Sequence, residues 1–291
     1  MAKLMVVADI DKHCSASSRG LELARHLGLE LEVVAFVWTS LKSLELDDIG
    51  RAELRQRLLD EREKDLEEHI AKYRRSNQKV TLKIVWEKNI APWLVRRLNT
   101  GKYIGVIKTG CRSETIVHTS VDWHLLRESP VPVLIVARDR WLRTKPVLAA
   151  LDLGTRHRSK CRLNHQIVES VCHIAQVLDT EPKFIAAIEV PSLLSDIGVI
   201  SPANYVREQK EAMKTQWLKL VEAHRLSPQM LHIRRGPVAR VICNAAAKER
   251  AQLVVMGSVG RQSVRDRMLG RTAESVLQLL HTDILVLKPE S

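Results

Sequence analysis

The apolar positions of this chain gather into short runs separated by stretches with helical periodicity. Leu4-Met-Val-Val-Ala-Asp9 is the first run, closed by an aspartate, a pattern that suits a buried parallel strand. A helical stretch from Ser17 to Leu27 leads to a second run, Leu31-Glu-Val-Val-Ala-Phe-Val-Trp38. A polar loop and a long charged helix precede Val80-Thr-Leu-Lys-Ile-Val-Trp86. A helix starting near Ala91 then leads to Ile104-Gly-Val-Ile107, and Trp123-His-Leu-Leu-Arg127 precedes Val131-Pro-Val-Leu-Ile-Val136.

The same order then repeats. Val147-Leu-Ala-Ala-Leu-Asp152 is again a run closed by an aspartate, followed by a helical stretch from Arg162 to Leu178 and the run Phe184-Ile-Ala-Ala-Ile188. Met230-Leu-His-Ile233, a helix from Val238, Leu253-Val-Val-Met256, Glu274-Ser-Val-Leu-Gln278 and Asp283-Ile-Leu-Val-Leu287 complete it. Each half reads βαβαβαβαβ, the order that builds a parallel sheet with helices on both faces. The 291 residues exceed the usual size of one domain. The expected fold class is therefore α/β, as two tandem five-stranded parallel-sheet domains, residues 1–141 and 142–291. The charged segment Ala137-Arg-Asp-Arg-Trp-Leu-Arg-Thr-Lys145 is the expected linker.

The second half carries the clearest candidate chemistry. Leu253-Val-Val-Met-Gly257-Ser258-Val-Gly260 is followed, nine residues on, by Gly270-Arg271-Thr272-Ala-Glu274. A buried strand that delivers a glycine loop, with a last glycine opening a helix, describes a phosphate cradle. Glycines admit close backbone approach, and the first N–H groups of the helix point at an anion. Arg261, Arg265, Arg267 and Arg271 surround that helix start. Guanidinium forks pair with phosphate oxygens; the alternative is that they pair with Asp266, Glu274 or a second subunit. In the first half, strand four runs into Lys108-Thr-Gly110-Cys111, and Thr119 stands where the last glycine would be, so that site reads as degenerate.

The glycine spacing at Gly257, Gly260 and Gly270, on a half whose first strand ends in Asp152, resembles the universal stress protein family, here as two domains in tandem. The resemblance implies a Rossmann-like fold of the adenine nucleotide alpha hydrolase type and a cytoplasmic stress-response protein, some of whose relatives bind ATP or AMP. It implies that Asp152 lies near the adenosine, while Gly257, Ser258, Gly260, Gly270 and Thr272 hold the phosphates, with Arg261 and Arg271 adding charge. Magnesium would enter only with the nucleotide, and no other metal is expected. Nucleotide-binding relatives place a serine or threonine directly after the last glycine; here Arg271 takes that position and Thr272 follows it. The resemblance also implies that the halves form an intramolecular pseudo-dimer, with a homodimer as the further option, and that ATP turnover would at most be slow. The other reading is a stress scaffold whose crevices hold a lipid, a metabolite or only protein partners.

The formal charge of +12 raises the expectation of anionic partners. Much of the charge reads as solvated surface, and Arg51–Glu68 interleaves both signs at helical spacing as a solvated helix would. No nucleic-acid signature accompanies it, and aromatic residues are 4% of the chain, too few for a stacking platform, so nucleic acid is not the expected partner. Cys14, Cys111, Cys161, Cys172 and Cys243 form no CxxC pair and read as free thiols in a reducing compartment. His157, Cys161, His165, Cys172 and His173 are the one metal-like cluster, but they lack the paired spacing of a structural zinc site. His124 beside Trp123 reads as a packing or capping residue. The six tryptophans read as core or interface, with Trp38 and Trp86 at strand ends where a crevice would open. No apolar run reaches membrane-span length, and no GxSxG, HExxH or Walker lysine occurs.

Overall fold

The computed structural model divides into two compact units, Met1–Arg140 and Trp141–Ser291. It describes residues 2–9, 14–42, 44–110, 121–137, 141, 144–191, 193, 200–259 and 270–289, with the backbone but not the side chain of Arg271. The first unit runs β1 (Lys3–Val7), α1 (Ser15–Leu27), β2 (Glu30–Val37), α2 (Asp48–Ala71), β3 (Val80–Trp86), α3 (Ile90–Leu98), β4 (Tyr103–Thr109), α4 (Val121–Glu128) and β5 (Val133–Val136). Its strands are all parallel, in the order β3-β2-β1-β4-β5. The second unit runs β6 (Val147–Ala150), α5 (Arg158–Val177), β7 (Pro182–Ile188), α6 (Pro202–His224), β8 (Leu231–Arg235), α7 (Val238–Lys248), β9 (Leu253–Gly257), α8 (Arg271–Leu279) and β10 (Asp283–Leu287). Its parallel order is β10-β9-β6-β7-β8. The α/β class and the two five-stranded parallel sheets agree with the sequence pattern.

The central strands are apolar without alternation because both of their faces are covered. Met5, Val6, Val33, Ala149, Val254 and Val255 are fully buried. Strand and helix then fit by complementary volume, differently in each unit. In the first, the small residue is on the helix: a Cβ at Gly20 of α1 would lie 2.3 Å from Val6 Cγ2. In the second, it is on the strand: a Cβ at Gly257 would lie 2.4 Å from Leu163 Cδ2 and 2.7 Å from Leu163 Cγ on α5.

Several element ends differ from the sequence pattern, each for a local reason. The aspartates do not close their strands; β1 stops at Val7 and β6 at Ala150. Pairing continues one residue further, with Ala8 N–H donating to the Val34 carbonyl (2.9 Å) and Leu151 N–H to that of Ile185 (3.0 Å). β5 begins at Val133 rather than Val131, since Pro132 has no N–H to give the ladder; its carbonyl instead accepts from Val106 (2.9 Å). β8 extends past Ile233 through two exposed arginines, as an edge strand can. The charged helix α2 is a surface helix with only Leu66 and Ile70 buried, capped by Asp47, whose side chain accepts from Gly50 N–H at 2.7 Å.

A buried polar knot in the first unit centres on Glu32. Glu32 accepts from Arg97 Nη2 at both carboxylate oxygens (3.1 and 3.0 Å), from Arg97 Nε (3.2 Å) and from the Tyr103 hydroxyl (2.9 Å). Burial and the Glu32 carboxylate push the Tyr103 phenol from its ordinary 10.0 up to about 12. A raised phenol favours the folded state while neutral, so that stabilisation is complete below about pH 10 and is lost as the pH rises toward 12. Ultraviolet titration of phenolate absorbance should show one late-ionising tyrosine, and Glu32→Gln should bring its midpoint down.

Candidate functional site

In a sheet of this order the crevice forms where successive connections leave the first strand in opposite directions, at the carboxyl ends of the strands. In the second unit that point lies between β6 and β9, and the structure has a cavity of about 270 Å³ there. It is lined by Asp152 beyond β6, Leu163 and Ile167 of α5, Gly257 at the end of β9 and Ser258 after it, and Gly270 and Thr272 at the start of α8. Met213 of α6 and Ile242 of α7 close the apolar side. Asp152, Gly257, Ser258, Gly270 and Thr272 are thus brought to one cavity. Gly260, Arg261, Arg265 and Arg267 lie outside the described residues, as does the Arg271 side chain.

The glycines divide by role. Gly257 is required by packing, because any side chain there meets Leu163. Gly270 is the N-cap of α8 with φ −62° and ψ 141°, and among the described residues a Cβ there would meet nothing within 4 Å. Gly270 also lines the cavity. No side chain caps the first turn of α8 among the described residues, so its leading N–H groups are available at the cavity wall. Ser258 is buried and held by its N–H to the Leu287 carbonyl (2.8 Å).

Two residues that the sequence did not single out hold the Asp152 wall. Asn164 Oδ1 accepts from Asp152 N–H (3.1 Å), and its Nδ2 donates to the Asp152 carbonyl (2.9 Å), turning the chain sharply out of β6. Lys160 Nζ pairs with Asp152 Oδ2 at 3.0 Å, both side chains being partly exposed. The available signal was Asn164 itself, a polar residue inside the apolar stripe Leu163, Ile167, Val168 and Val171.

In the first unit, the described residues at the corresponding strand ends contact one another. Lys108 at the end of β4 is buried, ion-paired to Asp122 Oδ1 (2.8 Å), and donates to the Thr109 carbonyl (2.8 Å). Thr109 Oγ1 accepts the Ala16 N–H at the start of α1 (3.0 Å). Arg62 of α2 reaches across to donate to the Asp9 carbonyl. Burial, then the nearby Asp9 charge, pushes the Cys14 thiol up. Cys111 and Thr119 lie outside the described residues. Trp38 is 45% exposed beneath Lys88 (4.8 Å from the ring centroid), and Trp86 lies under Arg55 (5.4 Å), so both pack against cations at the surface and not in a core. His124 lies 3.8 Å from Glu128, one turn on along α4.

Among the described residues, no three His, Cys, Asp or Glu side chains converge as a metal-ligand set. His165 turns to His224 (Nδ1···Nε2 3.0 Å) and Cys161 to the Thr155 carbonyl (3.8 Å), so they face different partners. Among those residues, too, no helix is long and apolar enough to cross a membrane.

Residues 165–288 match the family model for the universal stress protein family. The chain is 29% identical over 248 residues to Universal stress protein E of Escherichia coli (strain K12), covering 82% of this chain and 78% of that protein. It is 26% identical over 246 residues to the Universal stress protein E homolog of Haemophilus influenzae, covering 82% and 79%. Among solved structures, a functionally unknown protein from Pseudomonas aeruginosa PAO1 superposes with a TM-score of 0.70 at 24% identity, over 99% of this chain and 93% of that one. A universal stress protein from Archaeoglobus fulgidus DSM 4304 gives 0.66 at 18% identity, over 98% of both. The structural likenesses show a shared fold; the family model identifies a universal stress protein domain over residues 165–288, and the similarity to the curated relatives extends over 82% of the chain.

Proposed function

We propose that the second unit is an adenine-nucleotide-binding module, for ATP or AMP, whose output is a conformational or partner-binding signal in a stress response. The first unit would be a structural partner whose own crevice is filled. The observation that carries this reading is the cavity lining at Gly270: among the described residues, no atom stands where a side chain would be and no side chain caps the helix start. The volume of about 270 Å³ suits a nucleoside-sized group, with phosphates toward the glycine loop. Asp152 faces the nucleoside, and Lys160 supplies a cation at the mouth. Magnesium would accompany a triphosphate. Turnover is not part of the proposal, since Asp152, the carboxylate at this cavity wall, is ion-paired to Lys160.

The test is calorimetric titration of ATP and of AMP into ligand-stripped protein, with Gly270→Val alongside. A Cβ at Gly270 meets no atom of the described residues within 4 Å, so the variant should keep its melting temperature. Micromolar binding in the parent and a loss of about a hundredfold or more in the variant is the expected result, since the branched side chain obstructs the leading N–H groups. Absence of binding in folded parent protein would sink the nucleotide reading. The second reading, a scaffold with protein partners only, is favoured by Arg271 in place of the hydroxyl residue that nucleotide-binding relatives carry.

A further inference from the structure

A second cavity in the second unit, of about 240 Å³, lies between the edge strand β8 and α7. Its floor is apolar, with Leu148, Ile185 and Val241 all buried. Its rim is basic: His232, Arg234, Arg235 and Lys248 converge on it. The rim carboxylate, Glu249, is bound to Lys183 at 2.5 Å, and that contact outweighs burial, which acts to raise the carboxyl, and holds it below the ordinary glutamate range. The rim therefore carries a net positive charge over a greasy floor.

The first unit shows how such a groove is closed. Matching the buried helix positions Leu94 and Leu98 of α3 to Ile242 and Ala246 of α7 places Trp93 opposite Val241 and Arg97 opposite Ala245. The same offset places Tyr103 opposite Ala251. In the first unit, Trp93 packs edge-on against Phe36 with ring centroids 5.3 Å apart, and Arg97 and Tyr103 bind Glu32. In the second, all three large groups are replaced by small ones, and Glu32 itself, matched through the strand registers, is replaced by Lys183. A groove filled by large side chains around a carboxylate has become an open one that a cation, Lys183, enters in place of that carboxylate. Leaving such a groove empty wastes dispersion contacts and crowds like charges, and an occupant with an anionic head and an apolar body removes both penalties.

We propose that the β8–α7 groove is a ligand site for a small organic anion, a carboxylate or phosphate ester carried on an alkyl or aromatic body. The body lies over Leu148, Ile185 and Val241, and the head pairs with Arg234 and Lys248.

The experiment is titration of the full chain with octanoate and with octyl phosphate, and with inorganic phosphate as the headgroup alone. Three variants accompany it: Val241→Trp, which restores the first unit's filling; the doubly substituted Arg234→Ala, Lys248→Ala, whose sites are exposed; and Gly270→Val, which is remote from the groove. At least one octyl anion should bind the parent and Gly270→Val alike. That binding should weaken by about tenfold or more when both cations are removed, the scale of a lost charge-assisted contact. It should vanish in Val241→Trp. If the tryptophan variant does not fold, the surface double variant decides. Octanoate alone binding marks a carboxylate ligand, and octyl phosphate alone a phosphate ester. The proposal is overturned if neither anion binds, if binding is unchanged without the two cations, or if inorganic phosphate binds as tightly as octyl phosphate. Nucleotide binding is read separately through Gly270→Val, so either reading can fail without the other.

Discussion

Gly257→Ala should destabilise the second unit by about 3 kcal/mol, the upper end for overpacking a close-packed core. For a domain of this size that is a fall in melting temperature of roughly 6–12 °C. The new methyl would sit 2.4 Å from Leu163 Cδ2 and 3.2 Å from Ile167 Cδ1, and neither α5 nor β9 can yield without losing other contacts. The companion variant is diagnostic. Leu163→Ala alone leaves a cavity, at about 2–5 kcal/mol. In the double variant the two errors compensate, so the combined loss should fall short of the sum by about 1–3 kcal/mol. Strict additivity would mean that α5 does not rest on β9 at this point. The variant also separates two meanings of a glycine in a phosphate-type loop, because Gly257→Ala should act on stability and Gly270→Val on ligand.

Glu32→Ala should cost the first unit about 2–3 kcal/mol. Breaking a buried ion pair from one side usually costs about 3–5 kcal/mol. The lower figure applies because the surviving Arg97 side chain is 30% exposed and can recover water. The Tyr103 hydroxyl, buried and deprived of its acceptor, adds to the loss. Glu32→Gln should be milder, because it keeps an acceptor for Tyr103. The charge has its own pH signature. Burial alone would raise the Glu32 carboxyl, but the Arg97 and Tyr103 hydrogen bonds and the Arg97 charge outweigh it and leave it below the ordinary glutamate value. A depressed carboxyl stabilises the fold above its unfolded value, and that contribution fades as the pH falls through the folded one. Denaturant melts of the parent and Glu32→Gln should therefore converge in acid and separate toward neutrality; a constant gap would show that the charge is not the source.

The elements were legible because central parallel strands are buried on both faces and read as unbroken apolar runs, as at Leu4–Val7 and Val147–Ala150. Their ends were less so. Whether Asp152 belongs to β6 depends on Asn164, twelve residues away on α5, and no local pattern reports that bridge. The cavity residues with motif spacing, Gly257 and Gly270, were visible, but their separate duties were not. The need for glycine at 257 is set by Leu163, a residue of ordinary appearance in an ordinary helix. Lys160 was invisible for the same reason, being one of many surface cations until the fold sets it beside Asp152. The contacts of Lys108 with Asp122 and of Arg62 with the Asp9 carbonyl had no signal in the sequence, because they join elements far apart in the chain.

The opposite placement of the small residue in the two repeats, on the helix at Gly20 and on the strand at Gly257, has a genetic consequence. Two copies of one domain in a single reading frame are open to recombination between the copies. A crossover that brought α1 onto the second sheet would set glycine against glycine and leave a hole. The reciprocal product would drive a leucine into Val6. Either hybrid would be too unstable to persist, so the mismatch in packing insulates the copies from homogenisation and lets the two grooves diverge.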